Sequence, residues 1–171
     1  METSVRAEAT IDERSMVDAW NWHRESLPSW RRWLFPVLGA LHVVLAFVLI
    51  GTNYQFKSIS VFLLVAGYIG LMLRRYQEIF FRRSVRKMPV YQKTGTWEFS
   101  KGRLQIDLAG KLSKVSLAKL KQVSFTPDGW LFYPATNVYY WLPCAAFKSD
   151  EDRKAARQIV EASAKWVELA R

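Results

Sequence analysis

The chain has 171 residues, and its 25 Lys and Arg against 15 Asp and Glu give a formal net charge of +10 at pH 7. A single cysteine, Cys144, excludes an internal disulfide and a cysteine-rich zinc site. This basic balance indicates a negatively charged partner, either nucleic acid or an anionic membrane surface.

The first predicted element is a strand over residues 5–11, where apolar and polar side chains alternate. We expect it to join the sheet of the C-terminal half, because a lone strand has nothing else to pair with. Asp12 is positioned to cap a following helix that ends at Pro28. The predicted apolar face of this helix consists of Met16, Trp20, His23 and Leu27.

Apolar segments follow at residues 33–51 and 59–73. The first is long enough to cross a bilayer core of about 30 Å, and the second can cross if its flanking residues extend it. The loop between them carries only Lys57, whereas the outer flanks are rich in arginine, beginning with Arg24, Arg31 and Arg32. Because Lys and Arg accumulate on the cytoplasmic side, we predict a two-helix transmembrane hairpin with both termini in the cytoplasm.

A basic stretch, residues 74–88, continues the second apolar segment without a helix breaker before Pro89. Its cations are Arg74, Arg75, Arg82, Arg83, Arg86 and Lys87. They either attract an anionic inner leaflet, at roughly 1 kcal/mol each, or serve only to orient the hairpin. The sequence therefore predicts a basic juxtamembrane helix whose cations can serve either role or both.

Small and polar residues inside the apolar segments suggest two further hypotheses, one on helix packing and one on a histidine. Ala66 and Gly70, with Gly39 and Ala40 in the other segment, allow close helix approach, either within the hairpin or in a homodimer. His42 has no acidic partner in the neighbouring segment. We interpret it as a neutral imidazole bonded to Ser60, to a backbone group or to a partner helix.

From Pro89 onward, short alternating runs are separated by turn signals. The predicted strands are WEF, RLQIDL, KLSKVSL, KQVSFT, WLFY and VYYWL. Ser149 and Asp152 then form a capping box for a helix that runs to the chain end. Its predicted apolar stripe is Ala156, Ile159, Val160, Ser163, Trp166, Val167 and Ala170. A meander closed by one C-terminal helix is the layout of a pleckstrin-homology-like (PH-like) domain.

A lysine cluster in this half is a candidate ligand face for anionic headgroups, or else solvated surface. Its members are Lys111, Lys114, Lys119 and Lys121. Nucleic acid is not expected as a partner, because the aromatic residues interleave with apolar ones as core strands do and no recognition helix is apparent.

Catalytic chemistry is not predicted. Between Ser26 and Ser149 the carboxylates are scattered, with no spacing that pairs them for acid–base work: Glu78, Glu98, Asp107 and Asp128. No His, Cys and Asp grouping suits a metal or an activated nucleophile, and no glycine-rich loop cradles phosphate. We therefore expect a protein that is not an enzyme and has no metal or cofactor.

The hairpin, the basic helix, GTWEFSKGRLQI and YYWLPCAAFKSDED together resemble bacterial YcxB-like membrane proteins. The marks of the resemblance are Trp97, Phe99, Leu120, Val123, Pro143 and Phe147, with TIDERSMVDAWNWH at the N-terminus. The chain departs from the family at Leu117 and Cys144, where Trp and a basic residue are frequent. The resemblance implies two spans and a cytoplasmic PH-like domain of the YcxB type, and it implies no biochemical activity.

The predicted fold is thus an α+β membrane protein, a transmembrane hairpin with a cytoplasmic PH-like antiparallel barrel or sandwich and a C-terminal helix. We divide it into residues 1–32, 33–73, 74–88 and 89–171. The predicted function is a binding module in the bacterial inner membrane that engages membrane lipid, a protein partner, or both. The alternative is an immunity protein that neutralises a toxin acting on that membrane.

Overall fold

A computed structural model describes residues 4–52 and 57–169 of the chain. The protein is α+β, with two long apolar helices, two sheets and a C-terminal helix, which confirms these parts of the predicted fold. The chain divides into two compact units, Met1–His23 together with Ser84–Arg171, and Arg24–Arg83. The apolar helices therefore interrupt the sequence of the sheet-bearing unit.

The first sheet is antiparallel and joins segments from both sides of this interruption. Its strands, in spatial order, are β1 (Val5–Thr10), β2 (Thr94–Ser100), β3 (Arg103–Leu108) and β4 (Lys111–Ser116). Ala7 of β1 lies opposite Trp97 of β2, and the pairing extends over the whole of β1. The prediction that the N-terminal strand joins the C-terminal sheet is therefore confirmed.

The second sheet contains β5 (Gln122–Phe125), β6 (Gly129–Ala135), β7 (Val138–Pro143) and β8 (Trp166–Glu168). Its spatial order is β7-β6-β5-β8, and β8 runs parallel to β5 whereas the other pairs are antiparallel. The runs predicted as strands from the sequence form β2 to β7. Short 3-10 turns, Leu117–Lys119 and Cys144–Ala146, follow β4 and β7.

Helix α4 (Asp150–Glu161) begins as predicted but ends early. The backbone N–H of Asp152 donates to Ser149 Oγ at 3.1 Å, which confirms the cap. The prediction that the helix continues to the chain end is wrong, because Trp166–Glu168 forms β8. There the N–H of Val123 donates to the carbonyl of Lys165 at 2.8 Å. Trp166 and Val167 favour strands, and the open edge of β5 offers them backbone hydrogen bonds that a continued helix would not make.

The core of the sheet-bearing unit takes side chains from both sheets and from α4. Its fully buried members include Phe99, Leu104, Ile106, Phe132, Leu142 and Val160. The ring of Trp130 lies 5.1 Å from that of Phe125 and 4.9 Å from that of Phe147, centroid to centroid. This is the arrangement of a domain built from packed layers around one apolar core.

Helix α1 (Glu13–Glu25) packs on the second sheet through a separate aromatic cluster. Asp12 Oδ1 accepts from the Ser15 N–H at 2.6 Å, as the predicted cap requires. Trp22 Nε1 donates to Asp128 Oδ2 at 2.8 Å, and Trp141 Nε1 donates to Ser15 Oγ at 2.9 Å. Trp22 is buried, whereas the residues of the predicted apolar face are only half-buried: Met16, Trp20, His23 and Leu27. The aromatic side chains of β6 and β7 set the orientation of the helix.

Helices α2 (Ser29–Thr52) and α3 (Lys57–Arg86) form the second unit. Each contains a stretch long and apolar enough to cross a membrane, Arg32–Gly51 with mean hydropathy 2.4 and Ser58–Arg86 with mean hydropathy 1.5. Most of the interhelical loop, residues 53–56, lies outside the described residues.

Glycines set the closest contact between α2 and α3. A Cβ added to Gly39 would lie 2.9 Å from both the Gly67 carbonyl oxygen and the Leu71 backbone nitrogen. One added to Gly67 would lie 2.6 Å from Val43 Cγ2. Since Val43 contacts Gly67 and Gly39 contacts Leu71, the helices are antiparallel. The close approach predicted at Gly39 and Gly70 is present, with Gly67 as a third participant.

Candidate anionic-ligand site at the base of the helical pair

Arg32 and Arg74 lie at the same level of the α2–α3 pair. A Cβ added to Gly70 would lie 3.2 Å from the carbonyl oxygen of Phe35, which fixes the register. Arg32 precedes Phe35 by less than one turn, and Arg74 follows Gly70 by about one turn of 3.6 residues. Because the helices are antiparallel, moving backward along α2 and forward along α3 leads towards the same end of the pair. The two arginines therefore lie at the same end of the helices.

Arg24 and Glu25, the last residues of α1, belong to the same unit and complete a charged cluster at this end. Arg32 forms an ion pair with Glu25. Burial and the positive charge of Arg74 lower the pKa of Arg24; Glu25 opposes this shift and Arg32 adds to it. Arg24, Arg32 and Arg74, hereafter the arginine triad, thus lie near one another, with Glu25 close to Arg32 and Arg24.

Arg32 also has an unsatisfied donor. Its Nε atom is buried and has no hydrogen-bond partner among the residues that the structure describes. Because buried polar groups are almost always satisfied, an orphaned guanidinium N–H indicates an acceptor that binds there. The arginine triad therefore combines excess positive charge with a donor available to an anion.

The remaining cations of α3 are divided between paired and unpaired side chains. Arg82 binds Glu78 at 2.7 Å within the helix, and Arg86 binds Glu13 at 2.6 Å. By contrast, the exposed Arg75, Arg83 and Lys87 make no ion pair in the part of the chain that the structure describes. The structure thus ties two of the cations predicted to meet lipid to carboxylates of the protein.

The predicted lysine face of the sheet-bearing unit is spread over several positions. Lys111 and Lys114 are both exposed on β4 but are three residues apart, so they project from opposite faces of the strand. Lys119 lies in the following 3-10 turn, and Lys121 donates its Nζ to Thr136 Oγ1 at 2.7 Å. Alternation along β4 prevents these lysines from forming one continuous face on the sheet.

A shallow polar depression of about 210 Å³ lies on the outer face of the first sheet. Arg6, Thr96, Glu98, Gln105, Asp107 and Leu112 line it. Arg6 ion-pairs with Glu8 at 3.2 Å, and Asp107 Oδ1 accepts from the Gly110 N–H at 3.0 Å in the β3–β4 turn. These contacts engage Arg6 and Asp107 within the sheet and its turn.

An imidazole–phenol cluster joins the end of α1 to the second sheet. His23 Nδ1 lies 3.1 Å from the Tyr133 hydroxyl, and the His23 ring centroid lies 4.9 Å from that of Tyr139. Burial, with a smaller contribution from the Tyr133 charge, raises the pKa of Tyr139 to about 12. Burial also lowers the pKa of His23. Both groups are therefore neutral at pH 7, as packing in this cluster requires.

Acidification below the ordinary histidine pKa of 6.5 should destabilise the protein through His23. Because folding lowers this pKa, the unfolded chain binds more protons at mildly acidic pH, so the free energy of unfolding falls as pH decreases through 6.5 and below. Urea unfolding of the full chain in detergent, between neutral pH and about pH 5.5, measures this. In His23→Gln the pH dependence over this range should be weaker, and an unchanged slope would contradict the assignment.

His42 bonds within its own helix. Its Nδ1 lies 2.6 Å from the Leu38 carbonyl oxygen, so the backbone is the partner among the three alternatives predicted. Since a carbonyl only accepts, Nδ1 carries the proton in this contact.

The remaining candidates for chemistry among the described residues are metal-ligating side chains and the Cys144 thiol. In the described part of the chain, no group of three or more His, Cys, Asp and Glu side chains lies close enough to hold a metal ion. The Cys144 thiol is half-buried, and burial raises its pKa, which disfavours the reactive thiolate.

Comparisons of the chain with protein-family models, with curated proteins and with solved structures give no match.

Sequence reasoning assigned Arg24 and Arg32 only to membrane orientation and treated Arg74 separately. The signal for their convergence was present, since all three residues flank the same ends of the two apolar segments. What the sequence lacked was the register of the helices, which depends on the glycine contacts.

Proposed function

We propose that this protein is a non-enzymatic binding module anchored in the bacterial cytoplasmic membrane, with anionic lipid as its ligand. One observation carries the proposal: α3 passes without interruption from an exposed apolar stretch into a stretch with exposed arginines. An apolar helix surface requires lipid, and arginines at its end suit an anionic leaflet. We assign both chain ends to the cytoplasmic side.

The exposure of large apolar side chains on α2 and α3 supports membrane insertion. Phe47 is 63% exposed and Phe62 is 70% exposed, and only 11% of either apolar stretch is buried within the protein. Contiguous apolar surface of this extent is rare on soluble proteins. A bilayer removes it from water.

Exposed aromatic residues close to the arginine triad support the position of the interface. Trp30 and Trp33, on either side of Arg32, are 60% and 65% exposed. Tyr76, two residues after Arg74, is also exposed. Indole and phenol rings favour the headgroup level of a bilayer, where arginines also reach phosphate.

The sheet-bearing unit supports a PH-like domain of the YcxB type. The strands β2 to β7 are followed in the chain by helix α4, whereas β1 precedes the apolar helices and the short strand β8 comes after α4. The apolar helices are inserted after β1 and α1, so both of their outer ends return to the same module. Such an insertion would hold the module next to the membrane by two connections.

Cysteine labelling tests the proposed anchoring. In a Cys144→Ser chain, Ser58→Cys places the only thiol beside the loop between α2 and α3, and Lys101→Cys places it in the β2–β3 turn. We expect a membrane-impermeant maleimide to label the Ser58→Cys protein in intact spheroplasts and the Lys101→Cys protein only after lysis. Labelling of Lys101→Cys in intact spheroplasts would reverse the orientation, and protection of both until lysis would exclude the hairpin.

A further inference from the structure

We infer that the arginine triad, Arg24, Arg32 and Arg74, forms a binding site for the phosphate group of an anionic lipid headgroup. The inference rests on the proposed membrane anchoring, because that places the triad at headgroup level. It goes beyond the proposed function because it assigns the phosphate of the lipid to three particular side chains and not to the basic surface of α3 in general.

Three helices converge to build the site. Arg24 comes from the last turn of α1, Arg32 from the first turns of α2, and Arg74 directly follows the apolar stretch of α3. The close glycine packing of α2 and α3 fixes the level of Arg32 relative to Arg74. The site is therefore held by helical backbone and not by a loop.

The charges in the cluster require a counter-anion. Glu25 is engaged by Arg32, and the charges of Arg74 and Arg32 both act on Arg24. Because Arg32 already engages Glu25 and Arg74 makes no ion pair among the described residues, a bound anion relieves the repulsion between these guanidinium groups. Phosphate provides the required charge and several acceptor oxygens.

The unsatisfied donor in the cluster favours phosphate over diffuse screening by salt. Arg32 uses Nη1 for Glu25, and its buried Nε has no acceptor within residues 4–52 and 57–169. A guanidinium presents its N–H groups as a planar fork that matches phosphate oxygens, which a lysine ammonium cannot reproduce. The ligand we assign is thus one oxyanion that accepts from Arg32 Nε and lies against Arg24 and Arg74.

Native mass spectrometry of the full chain tests the site, with equimolar phosphatidylglycerol and phosphatidylcholine added to the detergent-solubilised protein. We expect the wild-type chain to retain about ten times more phosphatidylglycerol than phosphatidylcholine, because a charge-assisted hydrogen bond contributes a free energy of this order. Arg32→Gln and Arg74→Gln should each reduce this preference several-fold. Arg32→Lys keeps the charge but should also lose most of the preference, because the fork is gone.

Arg14→Gln is the matched control, since it removes one exposed arginine that belongs neither to the triad nor to the basic stretch of α3. An equal loss in Arg14→Gln and Arg32→Gln would show diffuse surface charge and overturn the site. Equal retention of the two lipids by the wild-type chain would also overturn it. If Arg32→Lys kept the full lipid preference, charge attraction alone would explain the binding and the guanidinium site would be overturned.

Inorganic phosphate at millimolar concentration distinguishes the source of the anion. Retention of the lipid in its presence supports a headgroup ligand, whereas its displacement would assign the same chemistry to a soluble phosphate. The cysteine labelling separates this inference from the proposed function. Predicted labelling without lipid preference would leave the anchor standing and remove the site alone.

Discussion

Removal of residues 1–12 is expected to unfold the sheet-bearing unit, although these residues are separated from the other strands by the apolar helices. The deletion removes β1, whose Val5, Ala7 and Ala9 are buried, and exposes the edge of β2 with Trp97. The lost burial and pairing should cost about 5 kcal/mol or more, which approaches the whole stability of a small domain. Near-ultraviolet circular dichroism and thermal unfolding would measure the loss.

Point substitutions make the same test without changing the length of the chain. Ala7→Asp places a charge at a fully buried position and should be as damaging as the deletion. Thr10→Asp puts the same side chain on the exposed face of the same strand and should change stability little. If both substitutions were equally tolerated, β1 would contribute nothing to the core.

Excision of the apolar helices provides the complementary control. A flexible linker of about twelve residues between His23 and Ser84 spans roughly 20 Å. Glu13 is bonded to Arg86, and His23 lies about 15 Å further along α1, so a linker of this length can join His23 to Ser84. We expect this shortened chain to be soluble and folded with β1 paired to β2, so a failure to fold would show that the module depends on the helices.

Gly39→Leu is expected to separate α2 from α3 and to destabilise their packing by about 1–3 kcal/mol, as overpacking does. Its Cβ would lie 2.9 Å from the Gly67 carbonyl oxygen and from the Leu71 nitrogen. Both are backbone atoms, so no side chain can rotate to relieve the clash and the helices themselves must move. The midpoint of unfolding by sodium dodecyl sulfate, followed by far-ultraviolet circular dichroism, should fall.

Gly51→Leu is the control for this substitution. A Cβ at Gly51 would meet nothing within 4 Å, and the residue lies on the same helix. It should therefore leave the midpoint nearly unchanged. Equal midpoints for Gly39→Leu and Gly51→Leu would mean that the glycine contact does not hold the pair together. Because the same contact sets the level of Arg32 against Arg74, Gly39→Leu should also weaken the lipid preference.

Local sequence patterns predicted most of the elements because each pattern has a local physical cause. The apolar run before Arg74 and the absence of a breaker before Pro89 predicted the long helix α3, which ends at Arg86. Ser149 and Asp152 predicted the start of α4, since the cap is a contact between residues three apart. Alternation with turn signals likewise predicted β2 to β7.

The errors occurred where a contact distant in sequence outweighed a local preference. Trp166 and Val167 continue the helical stripe of α4 but pair with β5, because the edge of that strand supplies hydrogen bonds. Trp22 is buried by its contacts with the second sheet, including the bond to Asp128, and not by the periodicity of α1 alone.

The two apolar segments, their basic flanks, the strand runs and the caps can all be predicted without the structure, because they depend on composition and on neighbours within a few residues. Folding alone shows that β1 pairs with β2 in the register that places Ala7 opposite Trp97, that glycines set the register of α2 and α3, and that the charges of Arg32 and Arg74 act on Arg24. The physical reason is that pairing, close approach and charge excess are properties of residues brought together by folding. Spacing along the chain does not encode them.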